Sequence, residues 1–179
     1  MGRASPAAPM TAVVCLLLLL AGGCASQATG GRGAAGHPSA RPAAGGTAPG
    51  SGTRELAGEY LAIAAPANRQ LDQEVDSYGD HVRGDLGAAE SALRAEAATE
   101  RRFDQLLVRV KFPARIDATA RALATVNQHR IALTELQAQS ASTAALLSFT
   151  GSHKSADAAV EAQVRIIRRQ LGLPPPDSS

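Results

Sequence analysis

Apolar residues recur at steps of three and four from Thr53 onward, with polar residues between them, and this spacing predicts helices. The apolar positions of the first stripe are Leu56, Tyr60, Ile63, Ala67, Leu71, Val75, Tyr78 and Val82. Pro66 interrupts this stripe, and a proline inside a helix removes one backbone hydrogen bond. The stripe is therefore expected to form either one kinked helix or two shorter helices.

Two further stripes follow, separated by a proline. The second stripe contains Leu86, Ala89, Leu93, Ala97, Phe103, Leu107 and Val110. A break and a new helix start are expected at Pro113, because a proline disfavours helix in the residue before it and suits the first helical turn. The third helix is expected to run from Pro113 to about Ser148, with Ile116, Leu123, Val126, Leu133, Leu136 and Leu147 as its apolar positions.

A fourth helix is expected to begin near Ser155, after a turn predicted at "TGSH", residues 150–153. Its apolar positions are Val160, Val164, Ile167 and Leu171. Asp157 in the first turn and arginines near the end match the charge order that a helix dipole favours. Gly172 and the "PPP" at 174–176 predict the end of this helix.

The four stripes predict an all-α fold, since no stretch shows the alternation that is typical of strands. Short connections favour an antiparallel three- to four-helix bundle, preceded by a signal peptide and a disordered linker. A three-helix core with a peripheral first helix is the main alternative to four core helices. The stripes do not distinguish a monomer from helices that complete their core in a dimer.

The N-terminal segment has the organisation of a signal peptide, predicted over residues 1–23. Arg3 precedes an apolar run at 11–20, which is shorter than the roughly 20 apolar residues that a transmembrane helix needs. The other cysteine of the chain, Cys15, lies inside this run and would leave with the signal peptide.

The stretch "LAGGC" at 20–24 resembles the lipobox of bacterial lipoproteins, although Ala21 stands where that family most often has Leu. The resemblance implies cleavage between Gly23 and Cys24, a lipid on Cys24, and a location on the extracytoplasmic face of the cell membrane. An ordinary secretory signal with an incidental Cys24 is the alternative.

The remaining boundaries follow from composition. Residues 24–52 contain Gly, Ala, Ser, Thr, Pro and a few other polar residues but no large aliphatic side chain, which predicts a disordered tether. A flexible chain of the 28 residues from 25 to 52 has a root-mean-square reach of about 30 Å. The helical domain is expected at 53–173, and a disordered Pro-rich tail at 174–179.

Charge and aromatic content argue against nucleic-acid binding. Residues 53–173 contain 15 basic and 15 acidic residues, the chain is only 3% aromatic, and it has no Trp. Proteins that bind nucleic acids concentrate positive charge, and those that bind single strands also stack bases on aromatic rings. The composition supplies neither feature.

No catalytic constellation, metal site or cofactor site is predicted. Counted from Asp72, the acidic stretch "DQEVDSYGD" at 72–80 places Ser77 where a calcium loop requires glycine and is followed by Arg83 where the loop requires glutamate. No acidic residue has a histidine three positions later, as di-iron helical bundles require. The chain is accordingly expected not to be an enzyme.

Two sets of residues remain as candidate sites. The first is a pocket between helices near Tyr60, Phe103 and His129, although a partly buried, structural His129 is the favoured interpretation of that residue. The second is a basic face, which would bind an acidic protein or an anionic polymer of the envelope, unless these charges are only solvated or paired within the bundle. The basic face consists of Arg101, Arg102, Arg109, Lys111 and Arg115.

These observations predict a lipid-anchored, extracytoplasmic, non-enzymatic interaction module with a protein partner in the cell envelope. The alternative is a carrier of a small ligand or metal that uses the pocket. The composition resembles that of small uncharacterised helical lipoproteins from Gram-positive bacteria with GC-rich genomes, a resemblance that implies no particular activity.

Overall fold

The computed structural model describes residues 50–176, which form an all-α bundle of four long helices and one short helix. The predicted signal peptide, the predicted cleavage site at Gly23 and Cys24, and most of the predicted tether lie outside the described residues. The helices are α1 (Ser51–His81), α2 (Leu86–Leu107), α3 (Ala114–Gln137), α4 (Thr143–Leu147) and α5 (Thr150–Gln170).

Helix α1 is one continuous helix that includes Pro66, which decides between the two alternatives for the first stripe. Pro66 has no N–H to donate to the carbonyl of Ala62, its partner four residues earlier. Both residues lie on the exposed side of α1, where water can hydrate the unpaired carbonyl. The buried side of the helix therefore keeps its hydrogen bonds.

Helix α2 begins where Asp85 caps it, since the Asp85 carboxylate accepts a hydrogen bond of 2.9 Å from the backbone N–H of Ala88. The Val82–Asp85 turn before it is tight, and it returns the chain alongside α1. Helix α2 ends at Leu107, and the connection to α3 covers Val108–Pro113.

The predictions for the segment after Leu136 were wrong in three respects. Helix α3 ends at Gln137, not near Ser148. A separate short helix, α4, follows because the Ser142 hydroxyl accepts from the backbone N–H of Ala145 at 3.2 Å and starts a new helix. The predicted turn at 150–153 is the first turn of α5, closed by a 3.0 Å bond from the N–H of His153 to the carbonyl of Phe149.

Helix α5 ends as predicted, at a glycine. Gly172 has a φ of 69°, in the left-handed region that a side chain disfavours. The N–H of Leu173 donates to the carbonyl of Arg168 at 2.9 Å, and the N–H of Gly172 donates to the carbonyl of Arg169 at 3.2 Å. These two bonds form a Schellman motif, which pairs the last carbonyls of the helix.

Two apolar clusters lie at opposite ends of the bundle. The larger contains Ala57, Tyr60, Ala64, Phe103, Leu107, Phe112, Ala120, Leu123, Val164, Ile167 and Leu171. The smaller contains Val82, Ala89, Leu93, Ala138 and Leu146. The start of α1 therefore lies beside the end of α2, the start of α3 and the end of α5, which makes successive long helices antiparallel. We call the end with the larger cluster the Gly50 end and the other the His81 end.

Helix α1 belongs to the core, because Tyr60 is only 1% exposed and packs in the same cluster as Val164 and Ile167 of α5. This excludes the alternative of a peripheral first helix. Among the described helices, none has the combination of length and hydrophobicity that a membrane span requires.

Candidate functional site

A buried ion cluster lies between the two apolar clusters, and Arg130 of α3 is its centre. Nη2 of Arg130 lies 2.8 Å from Oε1 of Glu96, and Nε lies 2.6 Å from Oδ1 of Asp157. Nη1 forms a further ion pair with Glu100. The side chains of Arg130, Glu96 and Glu100 are 10%, 7% and 5% exposed, so water contributes little to their solvation. The cluster joins α2, α3 and α5.

The negative charge of this cluster exceeds its positive charge, since three carboxylates surround one guanidinium. Burial raises the pKa of Glu96, and the interactions with Arg130 offset this only in part. Burial alone would lower the pKa of Arg130, but the carboxylates of Glu96 and Asp157 raise it further than burial lowers it. Arg130 therefore stays charged, and Glu96 binds a proton more readily than a glutamate in water does.

His153 lies next to this cluster, although its position in a predicted turn indicated an exposed residue. Burial lowers the pKa of His153, the charge of Arg130 lowers it further, and Asp157 opposes both effects. Nε2 of the ring is buried and has no hydrogen-bond partner among the described residues. His153 is thus expected to be neutral at pH 7.

Further polar contacts extend along the core on both sides of the ion cluster. Towards the Gly50 end, the Asn127 side-chain amide donates to Oδ1 of Asp104 at 3.1 Å. Burial raises the pKa of Asp104 to about 6, and the hydrogen bond from Asn127 lowers it only in part. The Thr99 hydroxyl donates to Oε1 of buried Glu74 at 2.8 Å, which joins α2 to α1.

Towards the His81 end, Gln137 connects three segments. Its Nε2 donates to the carbonyl of Leu146 at 2.9 Å and to the hydroxyl of Tyr78 at 3.2 Å. One side-chain amide thus attaches the short helix α4 to α3 and to α1.

This polar core pairs its own charges and hydrogen-bonding groups, with a few exceptions. Oε2 of Glu74, Oε2 of Glu100 and Oδ2 of Asp104 are buried and accept no hydrogen bond from a described residue. Within residues 50–176, no group of three or more His, Cys, Asp or Glu side chains is arranged to hold a metal ion. The arrangement can fix which helix faces meet, because each charged group is stable only beside its partner.

The residues predicted to line a pocket are not brought together as a set of three. Tyr60 and Phe103 both belong to the larger apolar cluster, where burial raises the pKa of Tyr60 to about 12 against the opposing charge of Arg168. His129 instead lies on the exposed face of α3. The inner face of α3 carries Asn127 and Arg130 instead.

In the structure, the five residues of the predicted basic face fall into two groups, one paired and one not. Arg101 is half-exposed and forms an ion pair with Glu135 of α3, so its charge is compensated. The other four residues are exposed and form no salt bridge among the described residues. We call these four residues the basic surface: Arg102, Arg109, Lys111 and Arg115.

Glu96, Glu100, Asp104 and Asn127 were not predicted from the sequence to be interior residues. The sequence contains a signal for three of these four residues. Buried positions recur at steps of three and four along each helix, and some of the positions in this series are polar. In α2 this series is Ala89, Leu93, Glu96, Glu100, Phe103 and Leu107. In α3 it is Ala120, Leu123, Asn127, Arg130, Thr134 and Gln137. Following the spacing through polar residues would have found Glu96, Glu100 and Asn127, whereas Asp104 lies beside the series.

Comparison of the chain with protein-family models, with curated proteins and with solved structures found no match.

Proposed function

We propose that this chain is a lipid-anchored, extracytoplasmic interaction module of the cell envelope and that it performs no catalysis. The anchor is the lipid on Cys24 that the "LAGGC" stretch predicts. The observation that carries the interaction role is the basic surface, whose four cations have no carboxylate partner among the described residues. Uncompensated cations on one part of a neutral domain attract anionic partners and orient them during encounter.

The buried charges support a binding role over a catalytic one. A catalytic acid, base or nucleophile must reach the reacting atoms of a substrate. The two buried carboxylates whose pKa is raised, Glu96 and Asp104, are 5% and 7% exposed and face other helices of the bundle. The alternative of a small-ligand carrier has no specific support, since His129 does not join Tyr60 and Phe103.

A protein partner is expected at the His81 end, which would point away from the anchor. Leu136 at the end of α3 is 56% exposed, and Leu147 at the end of α4 is 44% exposed. Both were predicted to lie in the core, and Leu146 takes the buried position instead. The hydrogen bond from Gln137 to the Leu146 carbonyl places both segments at this end of the bundle, and exposed apolar side chains that form a patch are a common feature of protein-binding surfaces.

The anchor is tested by membrane fractionation of cells that express the chain. Wild-type protein is expected in the membrane fraction after a high-salt wash, and Cys24→Ala is expected in the soluble fraction. Cys15→Ala is the matched control, because this residue would leave with the signal peptide; it should stay with the membrane. Equal release of wild type and Cys24→Ala would contradict lipid anchoring.

The partner is tested by photo-crosslinking in the same cells. A crosslinkable residue at Leu136 is expected to capture one envelope protein, and a crosslinker at exposed Ala159 on the side of α5 serves as the control. Absence of any adduct specific to position 136 would contradict a protein partner at this end.

A further inference from the structure

The basic surface lies at the Gly50 end of the bundle. Arg109 and Lys111 belong to the connection between α2 and α3, and Arg115 lies in the first turn of α3. Residues 108–115 thus adjoin the larger apolar cluster, through Phe112 and Val110, and so does the start of α1 through Ala57. The same end of the bundle therefore carries both the unpaired cations and the point where the chain arrives from Cys24.

Charge and apolar exposure at this end fit an anionic interface. Among the described residues of this end, exposed Arg54 and Arg169 add to the positive charge, while the exposed carboxylates are Glu55 and Glu59. Val108, between Leu107 and Arg109, is 49% exposed. Basic residues beside exposed apolar side chains are typical of surfaces that rest on lipid headgroups.

The opposite end has the other sign. Asp76, Asp80 and Asp85 are exposed there, against exposed Arg83 and Lys154, and the third exposed cation among the described residues of this end, Arg94, is paired with Glu90. A negatively charged bilayer would attract the Gly50 end and repel the carboxylates of the His81 end. The charge distribution therefore favours one orientation of the bundle over the other.

The length of the chain outside the helices favours the same orientation. Helix α1 has 31 residues and is about 46 Å long at 1.5 Å per residue. A flexible chain of the composition between Cys24 and Gly50 has a root-mean-square reach of about 30 Å. A lipid on Cys24 would thus hold the Gly50 end within reach of the bilayer more often than the His81 end.

We propose that the basic surface at the Gly50 end binds the anionic phospholipid headgroups of the membrane in which the chain is anchored. This deepens the proposed function and rests on it for the membrane's proximity. A basic patch supplies a contact with the bilayer that is independent of the lipid on Cys24. Docking at this end would leave Leu136 and Leu147 facing away from the bilayer.

The test uses residues 24–179 with Cys24→Ala, a chain that retains every described contact but carries no lipid. It is mixed with vesicles of phosphatidylcholine containing 30% phosphatidylglycerol, and bound protein is measured by co-sedimentation at about 0.05 M salt. We expect at least ten-fold weaker binding to pure phosphatidylcholine vesicles. Binding should also fall steeply at 0.5 M salt, where the screening length is only a few ångström.

Two double variants with the same change in net charge locate the surface. Arg109→Glu/Lys111→Glu is expected to weaken binding at least about twenty-fold, since each cation near an anionic surface contributes a factor of roughly five. Arg83→Glu/Lys154→Glu, at the His81 end, should bind within two-fold of the parent. Circular dichroism and thermal melting should show both variants folded, as the four exposed residues form no salt bridge.

Equal losses in the two variants, or equal binding to both kinds of vesicle, would overturn the proposal, and so would no binding. A crosslinker at Arg102 in cells that captured an envelope protein and no lipid would assign the surface to a protein partner instead. Because the vesicle chain has no lipid, a failure of lipid anchoring in cells would leave this result unchanged, and the two failures are distinguishable.

Discussion

Nη2 of Arg130 lies 2.8 Å from Oε1 of Glu96 in the interior of the bundle, where neither side chain is more than 10% exposed. The pair joins α3 to α2 at the level where neither apolar cluster reaches. Removal of two charges from water is costly, and this cost is recovered only if the partners stay together. The two helices are therefore expected to align so that Arg130 and Glu96 stay in contact.

Removal of the cation is the direct test of this relationship. Arg130→Met is expected to lower the free energy of unfolding by about 3–5 kcal/mol at pH 7, because it leaves Glu96 and Glu100 buried without a counter-charge. Urea denaturation followed by circular dichroism measures the loss. Adding Glu96→Gln and Glu100→Gln to the variant should recover part of it.

Arg121→Met provides the matched control, since Arg121 pairs with Asp117 on the surface and its side chain is 71% exposed. Little change is expected there, because water solvates both charges after the pair is broken. Similar losses of unfolding free energy for Arg130→Met and Arg121→Met would show that the buried cluster contributes no more to stability than a surface ion pair.

Asp104 gives the bundle a pH dependence of known sign. The pKa of Asp104 is raised from 3.8 to about 6, so the folded state binds this proton more tightly than the unfolded state. Its contribution to the free energy of unfolding therefore increases as the pH falls from about 6 to about 4, and it decreases as the pH rises through 6.

Asp104→Asn imitates the protonated carboxyl and keeps an oxygen that accepts from Asn127. The variant is expected to be more stable than wild type at pH 8, by on the order of 1 kcal/mol after allowance for solvent screening, and equal to it near pH 4. His153 acts in the opposite direction, since its lowered pKa makes the folded state lose stability on acidification. Both chains contain His153, so the difference between their urea curves isolates Asp104. A difference that does not vary with pH would contradict this account.

The face of α3 that packs in the core can be tested with two leucines. Leu123 is fully buried, and Leu123→Ala is expected to cost about 2–5 kcal/mol through lost burial and the resulting cavity. Leu136 is 56% exposed, and Leu136→Ala should change the free energy of unfolding by less than about 0.5 kcal/mol. Thermal melts compare the two, and equal costs would favour the stripe predicted from apolar residues alone.

The contact between Gln137 and α4 predicts a local effect. Gln137→Leu removes the donor to the Leu146 carbonyl, which costs about 1–3 kcal/mol when the acceptor stays buried. Amide hydrogen exchange should accelerate most at residues 143–147. Gln139→Ala is the control, because the Gln139 side-chain amide donates to the exposed carbonyl of Glu135 in the adjacent last turn of α3 and not to α4. Uniform acceleration along the chain would argue against local attachment by Gln137.

The fold class and the four long helices were predictable from apolar spacing, and the end of α5 was predictable from Gly172. The side of α3 that faces the core was not predictable in this way, because the prediction gave weight only to apolar residues. The interior position of Arg130 depends on Glu96 and Asp157, which belong to other helices. The sequence of one helix does not reveal which residues of the other helices will contact it. The end of α3 also depends on Ser142, because its hydroxyl caps the new helix α4 instead of allowing α3 to continue.

For the candidate site, the sequence predicted the cations but not their partners. Arg101 and Arg102 are adjacent in sequence, yet only Arg101 faces Glu135. The position of the basic surface relative to Gly50 follows from the antiparallel order of the helices, which composition and charge alone do not specify. The roles of Cys24 and of the basic surface stay predictions for the experiments above.

The order of the helices also has a consequence for folding kinetics. Helices α1 and α2, α2 and α3, and α3 and α5 are the main packing pairs, and each pair is close in sequence. Such a topology has low contact order, which is typical of bundles that fold in microseconds to milliseconds. The exception is the closure of the larger apolar cluster, which contains Tyr60 of α1 and, after about 100 intervening residues, Val164 and Ile167 of α5. We expect this closure to form late, so that substitutions of Tyr60 accelerate unfolding more than they slow folding.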